Sequence, residues 1–120
     1  MAIEGVFYVF ALVSDLGRAK RFYGDTLGWK LGTDEERIAG FSFGSGYLVA
    51  HAGSRPESER RHARDMHIAV RVSGLEAEHA RLAERGVDVS PIELHPWGER
   101  NFSFKDPDGY LWVYSETSQT

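Results

Sequence analysis

The chain has 120 residues, of which 42% are hydrophobic and 27% charged, with a formal net charge of −4 and no cysteine. These values are typical of one globular domain, and the lack of cysteine excludes disulfides, thiolate metal sites and cysteine nucleophiles. Because charges of both signs are interspersed and no apolar run approaches the roughly 20 residues of a membrane span, we expect neither a nucleic-acid nor a membrane partner. No signal peptide is visible, so we expect a cytoplasmic protein.

The first half of the chain predicts one helix among short strands. The apolar run "VFYVFAL" at 6–12 is the first predicted strand. A helix follows, with Asp15 as its N-cap and Gly28 as its left-handed C-cap. Its apolar face is formed by Leu16, Ala19, Phe22, Tyr23 and Leu27. Further strands are predicted at 29–33, 37–43 and 46–51, separated by turn residues such as Gly44.

The second half repeats this order after a charged linker at 52–65. "MHIAVR" at 66–71 is the next predicted strand. Ser73 and Glu76 have the spacing of a capping box, and Gly86 ends the helix that they begin. Leu75, Leu82 and Ala83 are predicted to face inward. The last strands are predicted at 87–93, 100–105 and 110–115, with "DPDG" at 106–109 as a tight turn between the final two.

Two short echoes indicate an internal duplication. "VSDL" at 13–16 recurs as "VSGL" at 72–75, an offset of 59 residues, and "GYLVAH" from Gly46 resembles "GYLWVY" from Gly109. The chain is therefore predicted to be an α+β protein of two tandem βαβββ modules. Each module is expected to be a curled mixed sheet with one helix on its outer face, which leaves the inner face to line a cleft. The single domain covers 1–120, with module one at 4–51, the linker at 52–65 and module two at 66–116.

Three segments carry a resemblance to a known family. They are "VSDLGRAKRFYGDTLGW" at 13–29, "MHIAVRVSGLEAEHARLAERGV" at 66–87 and "PWGERNFSFKDPDGYLWVY" at 96–114. Together they resemble the vicinal oxygen chelate superfamily of glyoxalases, bleomycin-resistance proteins and extradiol dioxygenases, and the bleomycin-resistance members in particular. The resemblance implies a homodimer with a concave ligand cleft. In the enzymes of the family, it implies one divalent metal on His and Glu ligands from the first and last strands of each module.

The family's metal-ligand positions map onto Tyr8, Ala50, His67 and Val113. Only His67 is a good ligand, whereas zinc sites use about three and hard cations prefer oxygen donors. We therefore expect no metal and no other cofactor. His51 and Glu116 are adjacent candidates that strand alternation turns to the opposite face unless a bulge intervenes. Whether His51, His95 or Glu116 completes a metal site remains open at the level of the sequence.

Strand alternation extends these positions into a predicted cleft face. It adds Val6, Phe10, Leu48, Ala69 and Arg71, and it assigns Phe7, Val9, Ile68, Val70, Trp112 and Tyr114 to the helix-covered core. Burying Phe102 and Phe104 would turn Asn101 and Ser103 toward the cleft. The candidate ligand-binding residues are Tyr8, Phe10, Ala50, His67, Arg71, Trp97, Asn101 and Val113. No residue is assigned a catalytic role.

Two of these residues have alternative interpretations. Trp97 lies in a Pro-Trp-Gly loop, and its segment resembles the one with which antibiotic-sequestering members of the family flank a flat aromatic ligand. The alternative for Trp97 is a plug at the dimer interface. His67 is either a hydrogen-bonding or proton-transferring group on a ligand, or a histidine whose hydrogen bond is satisfied by Tyr8.

Three functions fit these patterns. The leading hypothesis is a binding protein that sequesters a small aromatic or amphipathic ligand in a homodimer cleft without a metal, as antibiotic-resistance members of the family do. The second is a lyase, isomerase or dioxygenase, either metal-dependent through unusual ligands or metal-free with His67 and Tyr8 as acid and base. The third is a structural or regulatory module whose own aromatic residues fill the cleft. The sequence does not decide whether the modules pair within one chain or swap between chains.

Overall fold

The structure, a computed structural model, describes residue 2 and residues 5–53 and 67–117. The chain divides into two compact units, Met1–Arg55 and Pro56–Thr120. Residues 54–65 of the predicted linker, and the predicted module starts at 4 and 66, lie outside the described residues. No helix formed by the described residues is long and apolar enough to cross a membrane.

Unit one is a four-stranded mixed sheet with one helical segment. Its elements are β1 (Val9–Val13), α1 (Leu16–Lys20), a π-helical turn that continues α1 (Arg21–Thr26), β2 (Lys30–Asp34), β3 (Ile38–Phe43) and β4 (Gly46–Ala52). The strand order is β1-β4-β3-β2. β1 runs parallel to β4, and the other two pairings are antiparallel.

Unit two repeats this arrangement. Its elements are β5 (Ile68–Arg71), α2 (Leu75–Glu84), β6 (Glu93–Leu94), β7 (Glu99–Lys105) and β8 (Leu111–Thr117). The strand order β5-β8-β7-β6, with β5 parallel to β8, is the counterpart of the order in unit one. The predicted α+β class and the tandem βαβββ units are confirmed.

The two helices begin differently. Asp15 caps α1 as predicted, since its carboxylate accepts a hydrogen bond from the Arg18 backbone N–H at 3.0 Å. The predicted Ser73–Glu76 capping box is wrong. The residue that precedes α2 is Gly74, whose φ of 72° is left-handed, and its N–H donates to Glu116 Oε2 at 2.8 Å. A carboxylate from β8 thus caps α2, a long-range contact that local spacing does not reveal.

Each helix covers one face of its own sheet, here called the helix face. In unit one, Tyr23 of the π-helical turn is fully buried and its ring lies 5.5 Å from that of Phe41 on β3. In unit two, His79 of α2 meets Phe102 of β7 edge to face at 4.9 Å. Most of the core lies on these faces and on the helices, and its large members include Leu48, Phe102, Phe104, Trp112 and Tyr114. Ala83, predicted to face inward, is exposed.

The opposite side of each sheet, here called the far face, follows from the strand registers, because directly paired residues point to the same side. In unit one it carries Phe10, Leu12, Ile38, Gly40, Ser42, Tyr47, Val49 and His51. In unit two it carries Ala69, Arg71, Glu99, Asn101, Ser103, Val113 and Ser115. The predicted sides of Arg71, Asn101, Ser103 and Val113 agree with this register.

The prediction that Leu48 and Ala50 share a face with Phe10 is wrong. Phe10 pairs with Val49, whereas Ala50 pairs with Ala11 and with Ala39 on the helix face and is fully buried. The reason is hairpin length. Two residues separate β3 from β4, so the Gly-Tyr-Leu echo begins β4, whereas in unit two Gly109 and Tyr110 belong to the longer loop before β8. The register counterpart of Val113 is therefore Val49.

Two other strand predictions differ from the structure. Phe7, predicted in the core, is 88% exposed because β1 begins only at Val9. Of the strand predicted at 87–93, only Glu93 forms part of a strand, β6. Ser90 still joins β7, since its N–H donates to the Ser103 carbonyl at 2.9 Å and its Oγ accepts the Ser103 N–H at 2.8 Å. Pro91 has no N–H with which to continue that ladder.

Candidate functional site

The far face of unit two holds a cluster of interacting polar side chains. β7 and β8 pair so that Asn101 lies opposite Ser115 and Glu99 lies opposite Thr117. Glu99 and Asn101 are two residues apart on one strand, so both side chains point to the far face. The register brings the Ser115 hydroxyl within reach of Glu99 Oε2, to which it donates at 2.5 Å. The pairing of two strands thus assembles the polar centre of the site.

Glu99 is the hub of this cluster. Its carboxylate accepts hydrogen bonds from Ser115 Oγ, from Trp97 Nε1 at 2.7 Å and from Asn101 Nδ2 at 3.1 Å. These donors, led by Ser115, lower the pKa of Glu99 from its ordinary value to about 2, because each stabilises the ionised form. The site therefore carries a fixed negative charge at neutral pH.

The loop before β7 adds two aromatic rings. The His95 N–H donates to the Glu99 carbonyl at 2.8 Å, and the Gly98 N–H donates to the His95 carbonyl at 2.9 Å. This tight turn needs the left-handed φ of 92° that Gly98 supplies. Within it, the rings of His95 and Trp97 stack with centroids 4.8 Å apart and planes 11° apart. Trp97 remains 69% exposed.

His95 closes the cluster. Its Nε2 lies 3.1 Å from Asn101 Oδ1, and the Asn101 amide nitrogen in turn donates to Glu99. Hydrogen bonds and one ring stack therefore link five side chains, those of His95, Trp97, Glu99, Asn101 and Ser115, which we call the Trp97 network. The network presents the large indole ring of Trp97, which is held in place by its hydrogen bond to Glu99 and by its stack on His95.

The far face of unit one is more apolar. The Phe10 ring lies 5.9 Å from that of His51, and Phe10 is 54% exposed. His51 Nδ1 is 3.0 Å from the Ala52 carbonyl, which only accepts, so Nδ1 must carry a proton. The Tyr47 hydroxyl donates to Thr33 Oγ1 and accepts the Thr33 N–H, both at 3.0 Å. Thr33 lowers the pKa of Tyr47, because its hydroxyl first and its N–H second can both donate to the ionised phenolate.

The predicted site residues are divided between the units. Tyr8 and Phe10 belong to unit one, where Tyr8 immediately precedes β1 and is 49% exposed. His67, which is exposed and immediately precedes β5, belongs to unit two. The other predicted residues of unit two are Arg71, Trp97, Asn101 and Val113, and of these the hydrogen bonds join Trp97 and Asn101 through Glu99. Ala50 is removed from the candidate site because it is buried on the helix face.

Glu116, which the sequence analysis considered as a metal ligand, has another role. Its Oε1 accepts from Arg100 Nη2 at 2.6 Å while its Oε2 caps Gly74, and Arg100 also pairs with Glu76. These partners, led by Arg100, lower the pKa of Glu116. Arg100 and Glu116 line a cavity of about 310 Å³ together with Leu94, Gly98 and Thr117. Arg100 and Glu116 are the charged residues of its lining, and Trp97 does not line it.

The residues at the family's metal positions do not suit a metal. With the corrected register, those positions hold Tyr8, Val49, His67 and Val113, which offer one imidazole, one phenol and no carboxylate. Within residues 5–53 and 67–117, no group of three His, Cys, Asp or Glu side chains is arranged to hold a metal ion. We therefore derive no chemistry through a metal at these positions.

Sequence reasoning missed Glu99 and Ser115, and it left His95 as an open candidate for contact with a ligand or a metal. A signal for Glu99 was present, since Trp97, Glu99 and Asn101 alternate in sequence as residues on one side of a strand do. No local pattern identified Ser115, because its contact with Glu99 depends on the pairing of β7 with β8.

Comparisons with known proteins support the fold and indicate relatives. The family model described as Glyoxalase/Bleomycin resistance protein/Dioxygenase superfamily matches residues 5–114. The chain is similar to the uncharacterized protein YaeR of Escherichia coli K12, with 28% identity over 91% of this chain and 93% of that protein. A glyoxalase family protein from Bacillus anthracis has the same fold, with a TM-score of 0.82, 20% identity and 98% of each chain covered.

A solved structure with higher sequence identity carries a functional description. It is TnmS3 from Streptomyces sp. CB03234, described as an antibiotic binding protein. It is 31% identical to this chain, with a TM-score of 0.80, and the match covers 98% of this chain and 99% of that one.

Proposed function

Because this chain belongs to the glyoxalase/bleomycin resistance protein/dioxygenase superfamily, we propose that it is a small-molecule binding protein that sequesters a flat aromatic or amphipathic compound without a metal. The observation that carries this proposal is the state of Trp97. The residue is 69% exposed, yet its Nε1 is held by Glu99 at 2.7 Å and its ring stacks on His95. A large ring that is exposed and fixed is suited to stacking on a ligand.

The energetic argument rests on preorganisation. An exposed tryptophan without fixed contacts loses rotamer freedom when it binds, which costs about 0.5 to 1.5 kcal/mol. The hydrogen bond to Glu99 and the stack on His95 restrict Trp97 before any ligand arrives. Stacking on the indole then contributes about 0.5 to 1.5 kcal/mol beyond the burial of area. The Trp97 network therefore favours planar ligands.

The similarity to TnmS3 supports the same class of function, since that protein is described as antibiotic binding. We extend the proposal to an antibiotic or a related aromatic compound, bound by a homodimer in the cytoplasm. Asn101 and Trp97 are proposed ligand contacts, together with Phe10, Tyr8, His67, Arg71 and Val113. Val113 and Arg71 share the far face of unit two with the network.

The test is a binding titration with planar aromatic antibiotics. Binding is detected by the change in ligand fluorescence and by the shift in the protein's melting temperature. Trp97→Ala should weaken binding about tenfold, equivalent to about 1.4 kcal/mol, while its fold is retained. Leu94→Ala is the matched control, because Leu94 is 72% exposed in the same unit but contributes nothing to the Trp97 network. Equal affinities for Trp97→Ala and the native protein would contradict the proposal.

Sedimentation of the same variants tests the role of Trp97 at a dimer interface. The proposal expects a homodimer for the native protein and for both variants. If Trp97→Ala dissociates the dimer and leaves the affinity for the ligand unchanged, Trp97 is an interface residue and its proposed role in stacking is wrong.

A further inference from the structure

The direction of each hydrogen bond in the Trp97 network is fixed by Glu99. A carboxylate only accepts, and the pKa of Glu99 lies at about 2, so the group is ionised at neutral pH. The Asn101 group that lies 3.1 Å from Glu99 Oε2 must therefore be the amide NH₂. Its carbonyl oxygen must then be the atom that faces His95 Nε2 at 3.1 Å.

This arrangement determines where His95 carries its proton. Because Asn101 Oδ1 is an acceptor, the hydrogen bond requires an N–H on His95 Nε2. In the neutral imidazole, the lone pair then lies on Nδ1. That atom makes no hydrogen bond within the described residues, and it is not among the buried polar atoms that lack a partner, so solvent can reach it. A free acceptor is thus held in a ring that stacks on exposed Trp97.

We propose that Glu99 sets the tautomer of His95 through Asn101, and that His95 Nδ1 is the acceptor that selects planar aromatic ligands bearing a hydroxyl or N–H donor. The first half concerns the free protein alone. The second half rests on the proposed binding function. In this scheme Glu99 and Asn101 set the tautomer, and His95 supplies the acceptor for the ligand's hydroxyl or N–H donor.

The first experiment needs no ligand. Long-range ¹H–¹⁵N correlation of the histidine side chains, recorded about two pH units above the ordinary histidine pKa of about 6.5, reports which ring nitrogen carries the proton. We expect a protonated Nε2 and a bare Nδ1 for His95 in the native protein. A proton on Nδ1 in the native protein would overturn the proposal without any variant.

Glu99→Gln provides the decisive variant because it reverses which groups of Asn101 and His95 donate and which accept. Trp97 Nε1 only donates, so the Gln oxygen must occupy the position of Oε1, which places the Gln NH₂ toward Asn101. Asn101 must then turn its oxygen to that NH₂ and its own NH₂ to His95, which moves the His95 proton to Nδ1. Glu93→Gln removes the same charge from β6 and should leave the tautomer unchanged. A native tautomer in Glu99→Gln would overturn the proposal.

The second experiment tests selection with 2-naphthol and its methyl ether, 2-methoxynaphthalene, as matched probes. The native protein should bind the naphthol about three- to tenfold more tightly, the range expected for one net hydrogen bond. Glu99→Gln should lose this preference, because Nδ1 becomes a donor. Equal native affinities would overturn the selective role of Nδ1 and leave the proposed function intact. If neither probe binds, the selective role fails and the proposed function is contradicted for this class of ligand, whereas the tautomer result stands independently.

Discussion

Trp97 donates a hydrogen bond from Nε1 to Glu99 Oε1 at 2.7 Å while 69% of the residue is exposed. We expect Glu99→Ala to release the indole without unfolding the chain, because this bond lies outside the core. The indole ¹H–¹⁵N resonance of Trp97 should move and exchange faster with water, and that of Trp112, which is 2% exposed, should not change. A Trp97 resonance that is insensitive to Glu99→Ala would show that the stack on His95 alone holds the ring.

The low pKa of Glu99 predicts a pH dependence of stability. The pKa of a glutamate in the unfolded chain is about 4.3, and hydrogen bonds led by that of Ser115 lower it to about 2 in the folded protein. A depressed folded-state pKa stabilises the protein fully above the unfolded value, and this stabilisation is lost as the pH falls from about 4.3 to about 2. Because Glu99 is partly exposed, we expect its ionisation to add no more than about 1 kcal/mol to the free energy of unfolding.

The measurement is urea unfolding of the native protein and of Glu99→Gln between pH 7 and pH 2. The difference in unfolding free energy should be constant above about pH 5 and should shrink toward pH 2. Both proteins carry Glu76 and Glu116, whose pKa values are also lowered by Arg100, so the difference isolates Glu99. A difference that does not change with pH would mean that Glu99 is not preferentially ionised in the fold.

The sequence predicted those features of the fold that depend on local patterns. The two helices, the Asp15 cap and the side of β7 that carries Asn101 follow from periodicity and alternation. The errors concern contacts between distant segments. Glu116 caps α2 from 42 residues away, which no local capping motif could indicate. Likewise, the loop lengths of the two hairpins decide the side of β4, so the Gly-Tyr-Leu echo assigned Ala50 to the wrong face.

The candidate site was predicted in part for the same reason. Two members of the Trp97 network, Trp97 and Asn101, were among the candidates that the loop sequence and strand alternation suggested. Glu99, which joins them, was missed, although its position between them placed it on the same side. A further member, Ser115, becomes adjacent to Glu99 only when β8 pairs with β7. A network that spans two strands and a loop therefore needs the register, and the register depends on tertiary structure.

The corrected register of β4 predicts unequal losses of stability for two neighbouring substitutions. Ala50→Glu places a carboxylate on the helix face, where Ala50 is fully buried, and should cost more than about 3 kcal/mol or prevent folding. Val49→Glu places the same group on the half-buried far face and should cost substantially less. Chemical denaturation of both variants is the measurement. The reverse ranking would show that β4 pairs with β1 in a register shifted by one residue.

Gly40 lies directly beneath the ring of Tyr47 on the far face of unit one, and the Tyr47 hydroxyl bonds to Thr33 beyond it. A methyl group on Gly40 would overlap the phenol ring, so Gly40→Ala should displace the tyrosine and cost about 1 to 3 kcal/mol. Gly24→Ala is the control, because its added methyl would meet Phe41 at an ordinary 3.8 Å. A double-mutant cycle by urea unfolding checks the mechanism. If the cost of Gly40→Ala persists undiminished in a Tyr47→Ala background, its origin lies in the β3 backbone instead of the overlap with Tyr47.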